Sequence, residues 1–254
     1  MTIKTAVLNG VYTIEIARPE KKNALTAEMY GQMAEGLIAA KADGAVRSVL
    51  ITGQPGIFTS GNDLEDFMKR TGTVAESPAF QFMKALTGCD KPVVAAVTGA
   101  AIGIGTTMLL HCDLVYVSDE ARLAMPFVSL GLVPEFASSL LVPQLMGPRK
   151  AAEKILLGDP FTGQDAVDCG IANAVLPAAE VANHARRIAE RFNTLPPSAV
   201  RQTKTLLRRA NAESVMAAIA AENEVFLARL GSPEAKEAFS AFFQKRKPDF
   251  SQFS

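Results

Sequence analysis

Residues 99–139 read GAAIGIGTTMLLHCDLVYVSDEARLAMPFVSLGLVPEFASS. They follow residues 92–97, an apolar run with β-branched members, which suits a strand buried on both faces. Residues 99–105 hold three glycines and read as a turn. Residues 106–112 are helix-like and residues 114–117 strand-like. Pro134 suits the first position of a further helix, where its missing N–H costs nothing; that helix runs through Leu145 to the Gly147-Pro148 break. A strand, a glycine turn, a helix and a second strand in such close succession predict an α/β fold.

Upstream, residues 3–8 and 11–17 are β-prone, and Asn9-Gly10 between them tolerates positive φ, which predicts a tight hairpin. Residues 18–23 are a polar loop. Thr26 caps a helix from Ala27 to about Ala40. Residues 46–51 form a short strand, and residues 52–62 are dense in turn formers. Helices are expected from Asp63 and over 77–86; the loop 67–80 is expected to set the depth of any pocket beside it. Downstream, residues 149–157 are helical, Thr162 and Asp165 resemble a capping box, and residues 173–176 form a last strand. After Pro177 the character changes to helices over 178–192, 197–209, 212–230 and 233–245. The expected organisation is an α/β core over 1–177 and a helical region over 178–254.

Composition excludes several classes. Lys plus Arg equals Asp plus Glu at 26 each, so the basic excess of a nucleic-acid binder is absent. Trp is absent and aromatic content is low, which argues against a base-stacking platform. Three scattered cysteines and two histidines give no metal-ligand spacing, so no metal site is expected. No run of about 18 apolar residues occurs, no signal-peptide core is seen and the C-terminal tripeptide is not of the SKL type; the expected compartment is the cytoplasm.

Four stretches are candidates for chemistry. The glycines at 103 and 105 suggest a dinucleotide loop, but Met108 stands where a third glycine belongs and no suitably placed acid follows. What they allow is close backbone approach, with an N–H aimed at a ligand oxygen. Phe58-Thr59-Ser60-Gly61-Asn62-Asp63-Leu64 is a second turn of the same kind, after an apolar strand and before a helix. Two such N–H groups together can form an oxyanion hole for a developing enolate. Glu135 has two readings. It complements a helix dipole from the first turn, or it is a carboxylate among Leu132, Val133 and Phe136 whose desolvation suits a proton-shuttling base. His111, Cys112 and Asp113 point in different directions on a helix and read as structural. Lys245-Arg246-Lys247 is a solvated charge run or a phosphate contact.

Taken together, the segments IARPEKKNALT, FTSGNDL, KPVVAAVTGAAIGIG, CDLVYVSDEARLAMPFVSLGLVPE and LLGDPFTGQDAVDCGIANAVL resemble the crotonase superfamily, the enoyl-CoA hydratase/isomerase group. The resemblance implies a spiral of ββα units, a helical tail that covers the site, homotrimers or dimers of trimers, and an acyl-CoA thioester substrate whose coenzyme is the only one needed. The thioester oxygen is then held by the backbone N–H groups of Asn62, after Gly61, and Ile104, after Gly103. It also implies coenzyme A contacts near Lys22, Ala24 and Leu25, at Asp63 and Leu64, and from the tail near Phe243 and Lys245. Neither nucleic acid nor membrane is implied as a partner.

The departures from the group narrow the chemistry. The two glutamates of a typical hydratase fall on Thr107 and Phe127 here, and neither residue can act as a base. The Pro-Glu of MPFVSLGLVPEFASS instead resembles the base position of peroxisomal-type Δ3,Δ2-enoyl-CoA isomerases, which falls on Glu135. The implied reaction moves a double bond from C3–C4 to C2–C3, with Phe127 and Phe136 lining the pocket. Other crotonase reactions (thioester hydrolysis, decarboxylation or atypical hydration) and a non-catalytic acyl-CoA-binding subunit are the alternatives.

Overall fold

Asn9 and Gly10 take φ values of 49° and 70°, as the two-residue hairpin turn requires. They join β1 (Ile3–Leu8) to β2 (Val11–Ile16) in unbroken antiparallel register, Ile3 opposite Ile16 and Leu8 opposite Val11. The computed structural model describes residues 2–68 and 77–253; residues 69–76 of the loop expected to set pocket depth lie outside them. The remaining strands are β3 (Ser48–Thr52), β4 (Ile57–Thr59), β5 (Val93–Val97), β6 (Ala100–Ile102), β7 (Leu114–Ser118), β8 (Arg122–Ala124), β9 (Phe161–Thr162) and β10 (Ala174–Leu176).

These strands fall into two sheets, ordered β1-β2-β3-β5-β7-β10 and β4-β6-β8-β9. Beyond the hairpin every pairing in the first sheet is parallel. In the second, β4, β6 and β8 run parallel and β9 returns antiparallel. The chain therefore steps from a long strand of the first sheet straight into a short strand of the second, three times: β3 to β4, β5 to β6, β7 to β8. This is the ββα spiral that the resemblance implies.

The inner strands β3 and β5 of the first sheet are buried on both faces, and the two-residue period decides which side each residue serves. Val49, Ile51, Val93, Ala95, Val97, Val115 and Val117 enter the main core, together with Met29, Met33 and Leu37 of the helix Ala27–Ala42. Val11, Leu50, Val94, Ala96 and Tyr116 face the other way and meet Val181, Ala185 and Ala189 of the helix Ala178–Arg191. Thr26 caps the first of these helices by accepting the Met29 N–H.

The other tail helices are Pro197–Arg209, Ala212–Leu230 and Pro233–Phe243. The first is tied to the core through Asp113. That carboxylate accepts the Val93 N–H at 2.7 Å, Lys204 Nζ at 2.6 Å and Arg208 at 2.9 Å. Lys204 is buried and also donates to the Lys91 carbonyl at 2.6 Å.

Four sequence expectations need correction. The short strands β4 and β6 lie in stretches read only as turns, because three residues are too few to show a period. Residues 106–112 are not one helix: Ile104–Thr107 is α-helical and Met108–His111 tightens to a 3-10 turn. Residues 149–157 likewise divide into an α-helix, Pro148–Ala152, and a wider π turn, Glu153–Leu157. Most consequentially, Pro134 does not open a helix. The helix starts at Ser138 and ends at Met146, after Phe136 and Ala137 have both taken left-handed φ values of 61° and 57°. The Phe136 ring, packed in the core, and a distant carboxylate on the Ala137 and Ser139 N–H groups override the local signal. Glu135 thus stands outside the helix, and its reading as a first-turn acid falls.

Candidate active site

The site is built where β4 and β6 end. Asn23 locks the first of these ends. It is fully buried, and its amide donates to the carbonyls of Ile16, Ile57 and Phe58 while its Oδ1 accepts the Arg18 N–H. Next to it, Leu25 donates its N–H to the Gly61 carbonyl and accepts the Asp63 N–H. Both bonds skip Asn62, so the Asn62 N–H faces away from Leu25. At the second end Gly103 takes φ 58°, and Ile104 opens the helix Ile104–Thr107, where the first N–H groups have no intrahelical acceptor. Among the described residues, neither the Asn62 nor the Ile104 N–H meets an acceptor.

Close backbone approach brings the two ends together. A Cβ on Gly61, whose φ is 92°, would lie 2.9 Å from the Ile102 carbonyl oxygen, and one on Gly105 would lie 2.6 Å from Thr59 Cγ2. Only glycine allows this contact.

A cavity of about 630 Å³ opens over these turns. Lys22, Ala24, Gly61, Asn62, Asp63, Leu64, Gly103 and Phe127 line it, together with Leu132 and, from the tail, Phe226, Phe242 and Phe243. Leu25 and Ile104 are buried and do not line it, although the peptide that carries the Ile104 N–H begins at the lining residue Gly103. Lys245 is exposed and lies outside it. Phe136 is a core residue: its ring stacks on His111 with centroids 3.9 Å apart and meets Phe82 edge-on at 6.2 Å. Glu135 is buried, 5% exposed, and is not among the lining residues; Leu132, three residues before it, is.

Three carboxylates are buried among the described residues: Asp63, Glu135 and Glu222. Asp63 caps the helix Leu64–Phe67 and pairs with Arg18 at 2.7 Å. Burial works to raise its pKa, but the Arg18 hydrogen bond and the nearby N–H groups outweigh it and hold the carboxyl below the usual range. Glu222 binds Ala137 and Ser139 from the tail; burial raises its pKa, against the pull of those hydrogen bonds. Glu222 and Tyr30, whose hydroxyl donates to Asn62 Oδ1 at 2.7 Å, were not anticipated from the sequence. Tyr30 falls on the ordinary apolar stripe of its helix, and Glu222 meets its partners across more than 80 residues of chain.

His111 also belongs to this region. It sits 2.8 Å from the Phe136 carbonyl through Nε2, and burial pushes its pKa down to about 4, with Arg208 adding to that shift and the Phe136 bond opposing it. The folded state therefore holds a neutral ring, which donates through Nε2. Since the folded pKa lies below the ordinary 6.5, stability is intact above that pH and declines as the pH falls from 6.5 toward 4, by about 3 kcal/mol in all. Urea midpoints measured between pH 7 and pH 4 are expected to fall less steeply in His111→Gln than in the parent. Parallel slopes would show that His111 carries none of this dependence.

The family model described as enoyl-CoA hydratase/isomerase matches residues 7–253. The chain belongs to the enoyl-CoA hydratase/isomerase family. It is 34% identical over 245 residues to enoyl-CoA delta isomerase 2 of Homo sapiens, covering 94% of this chain and 62% of that protein. The chain thus spans less than two thirds of the human relative's length. It is 30% identical to a probable enoyl-CoA hydratase of Bacillus subtilis (strain 168), with 98% of each chain covered. The crystal structure of an enoyl-CoA hydratase/isomerase from Pseudoalteromonas atlantica T6c superposes with a TM-score of 0.94 at 41% identity, covering 99% of this chain and 100% of that one. Isomerases and hydratases thus both occur among relatives in the enoyl-CoA hydratase/isomerase family. Where the resemblance places the two hydratase glutamates, Thr107 is fully buried, its hydroxyl without a hydrogen-bond partner among the described residues, and Phe127 lines the cavity. No cluster of three His, Cys, Asp or Glu among the described residues is arranged to hold a metal, and no helix there is long and apolar enough to cross a membrane.

Proposed function

We propose that the chain is an enoyl-CoA isomerase that moves a double bond from C3–C4 to C2–C3, with Glu135 as its single base. The observation that carries the reading is a buried glutamate three residues beyond Leu132 of the cavity lining, with Thr107 and Phe127 at the two positions where the resemblance places hydratase glutamates. The Asn62 and Ile104 N–H groups receive the thioester oxygen and acidify the C2 protons. Glu135 takes one of these protons. The C2–H pair becomes the C1–C2 bond of a dienolate, and negative charge moves to the thioester oxygen. Return of the same proton to C4 shifts the electrons into the C2–C3 bond. C2 and C4 are 1,3-related, so one carboxylate serves both. No redox or metal step is involved, and coenzyme A enters only as part of the substrate.

Lys21 and Lys22 on the cavity lining suit the coenzyme phosphates, and aromatic residues of the tail share that lining. Exposed Leu206 and Leu207 on the tail suit assembly into a trimer or a dimer of trimers. The isomerase name of the human relative supports the reaction; the hydratase name of the bacterial relative supplies the competing one.

A trans-3-enoyl-CoA supplied to the purified chain is expected to yield the conjugated 2-enoyl thioester, read by its ultraviolet absorbance. Accumulation of 3-hydroxyacyl-CoA or free coenzyme A as the main product would replace the isomerase reading with hydration or hydrolysis. Tight binding without turnover of any enoyl-CoA would make the chain a binding subunit.

A further inference from the structure

The helix Ala212–Leu230 turns one carboxylate inward. Glu222 lies between Ile219 and Phe226 on the buried face of that helix and is 8% exposed. Its Oε2 accepts the Ala137 N–H at 2.5 Å, and its Oε1 accepts the Ser139 N–H at 2.8 Å and the Ser139 hydroxyl. These N–H groups belong to the irregular turn that leads into the helix Ser138–Met146 and to that helix's first turn. The turn contains Phe136 and Ala137, two consecutive residues in the left-handed region and neither of them glycine. L side chains disfavour that region, so the surroundings must enforce it. Glu222 supplies the enforcement on the C-terminal side of Glu135. On the N-terminal side Arg229 of the same helix donates Nε to the Gly131 carbonyl at 3.0 Å.

We propose that Glu222 is a positioning residue for Glu135: its carboxylate clamps the backbone at Ala137 and Ser139 and thereby sets the direction in which the Glu135 side chain leaves the turn. This rests on the reading of Glu135 as the base. Glu222 is not among the residues that line the cavity. Its effect passes through the backbone of residues 135–137, and a base displaced by even an ångström loses much of its rate.

The test uses the full chain and steady-state kinetics on a trans-3-enoyl-CoA. In Glu222→Gln one oxygen is replaced by an NH2 that faces an N–H donor, so one of the two backbone bonds is lost while shape is kept. The kcat is expected to fall about 10- to 100-fold with KM within about threefold, because Lys22, Asn62 and Asp63 are untouched. A role in stability alone would not separate kcat from KM in this way. Glu222→Asp keeps the charge and is expected to show the same split at smaller size, which serves if the Gln variant does not fold. A folded Glu222→Gln with parental kcat, alongside an inactive Glu135→Gln, overturns the positioning role and leaves the base in place. A change confined to KM overturns it as well. An active Glu135→Gln overturns the base, and the positioning role with it.

Discussion

Glu135→Gln is expected to lower kcat on a trans-3-enoyl-CoA by about 10³-fold or more, with substrate affinity nearly unchanged. The variant keeps the volume and polarity of the side chain but cannot take the C2 proton. General-base groups contribute about 10²- to 10⁴-fold, and the upper part of that range applies when the same group must also return the proton. A 10³-fold loss corresponds to about 4 kcal/mol of barrier. Thr107 and Phe127 are not acids, Asp63 is bonded to Arg18, and Glu222 is bonded to Ala137 and Ser139. Affinity is retained because Gly61, Asn62, Gly103 and the lysines at the cavity are unaltered. Steady-state rates and calorimetric titration with a saturated acyl-CoA separate the two quantities. A variant that turns over at the parental rate would exclude Glu135 as the base.

Asp113→Ala is expected to remove about 3 kcal/mol of stability, the lower end of the range for leaving a buried charge without its partner, since Asp113 itself is only half-buried. Lys204 is 6% exposed, and burial already presses its pKa below the usual value while Asp113 resists that shift. Without Asp113 the ammonium keeps only the Lys91 carbonyl, and the Val93 N–H at the start of β5 loses its acceptor. For a chain of this size the loss corresponds to a fall in thermal midpoint of about 6–12 °C. Scanning calorimetry with Asp113→Asn beside it measures the charge separately, since Asn retains an acceptor oxygen. A fall below about 1 kcal/mol would show that the helix Pro197–Arg209 is held by packing and not by this carboxylate.

The frame of the molecule was readable where a signal is local. Asn9-Gly10 specified its hairpin, the continuous apolar run in residues 92–97 fitted a strand covered on both sides, and the helices at 197–209 and 212–230 kept their expected bounds. The second sheet was not readable, because its strands have two or three residues each and lie among glycines that meet backbone at close range. At the site, the paired turns at Gly61-Asn62 and Gly103-Ile104 were visible as motifs. The conformation around Glu135 was not. Pro134-Glu135 carries every local mark of a helix start, and what defeats it is a side chain 85 residues away in sequence.

Both acceptor-free amides of the site belong to the main chain. Every amino acid except proline carries such a group, so ordinary substitution at position 62 or 104 does not erase it. On the proposed reading, exchanges at positions 107, 127 and 135 alter the chemistry while the two main-chain groups that hold the thioester oxygen persist.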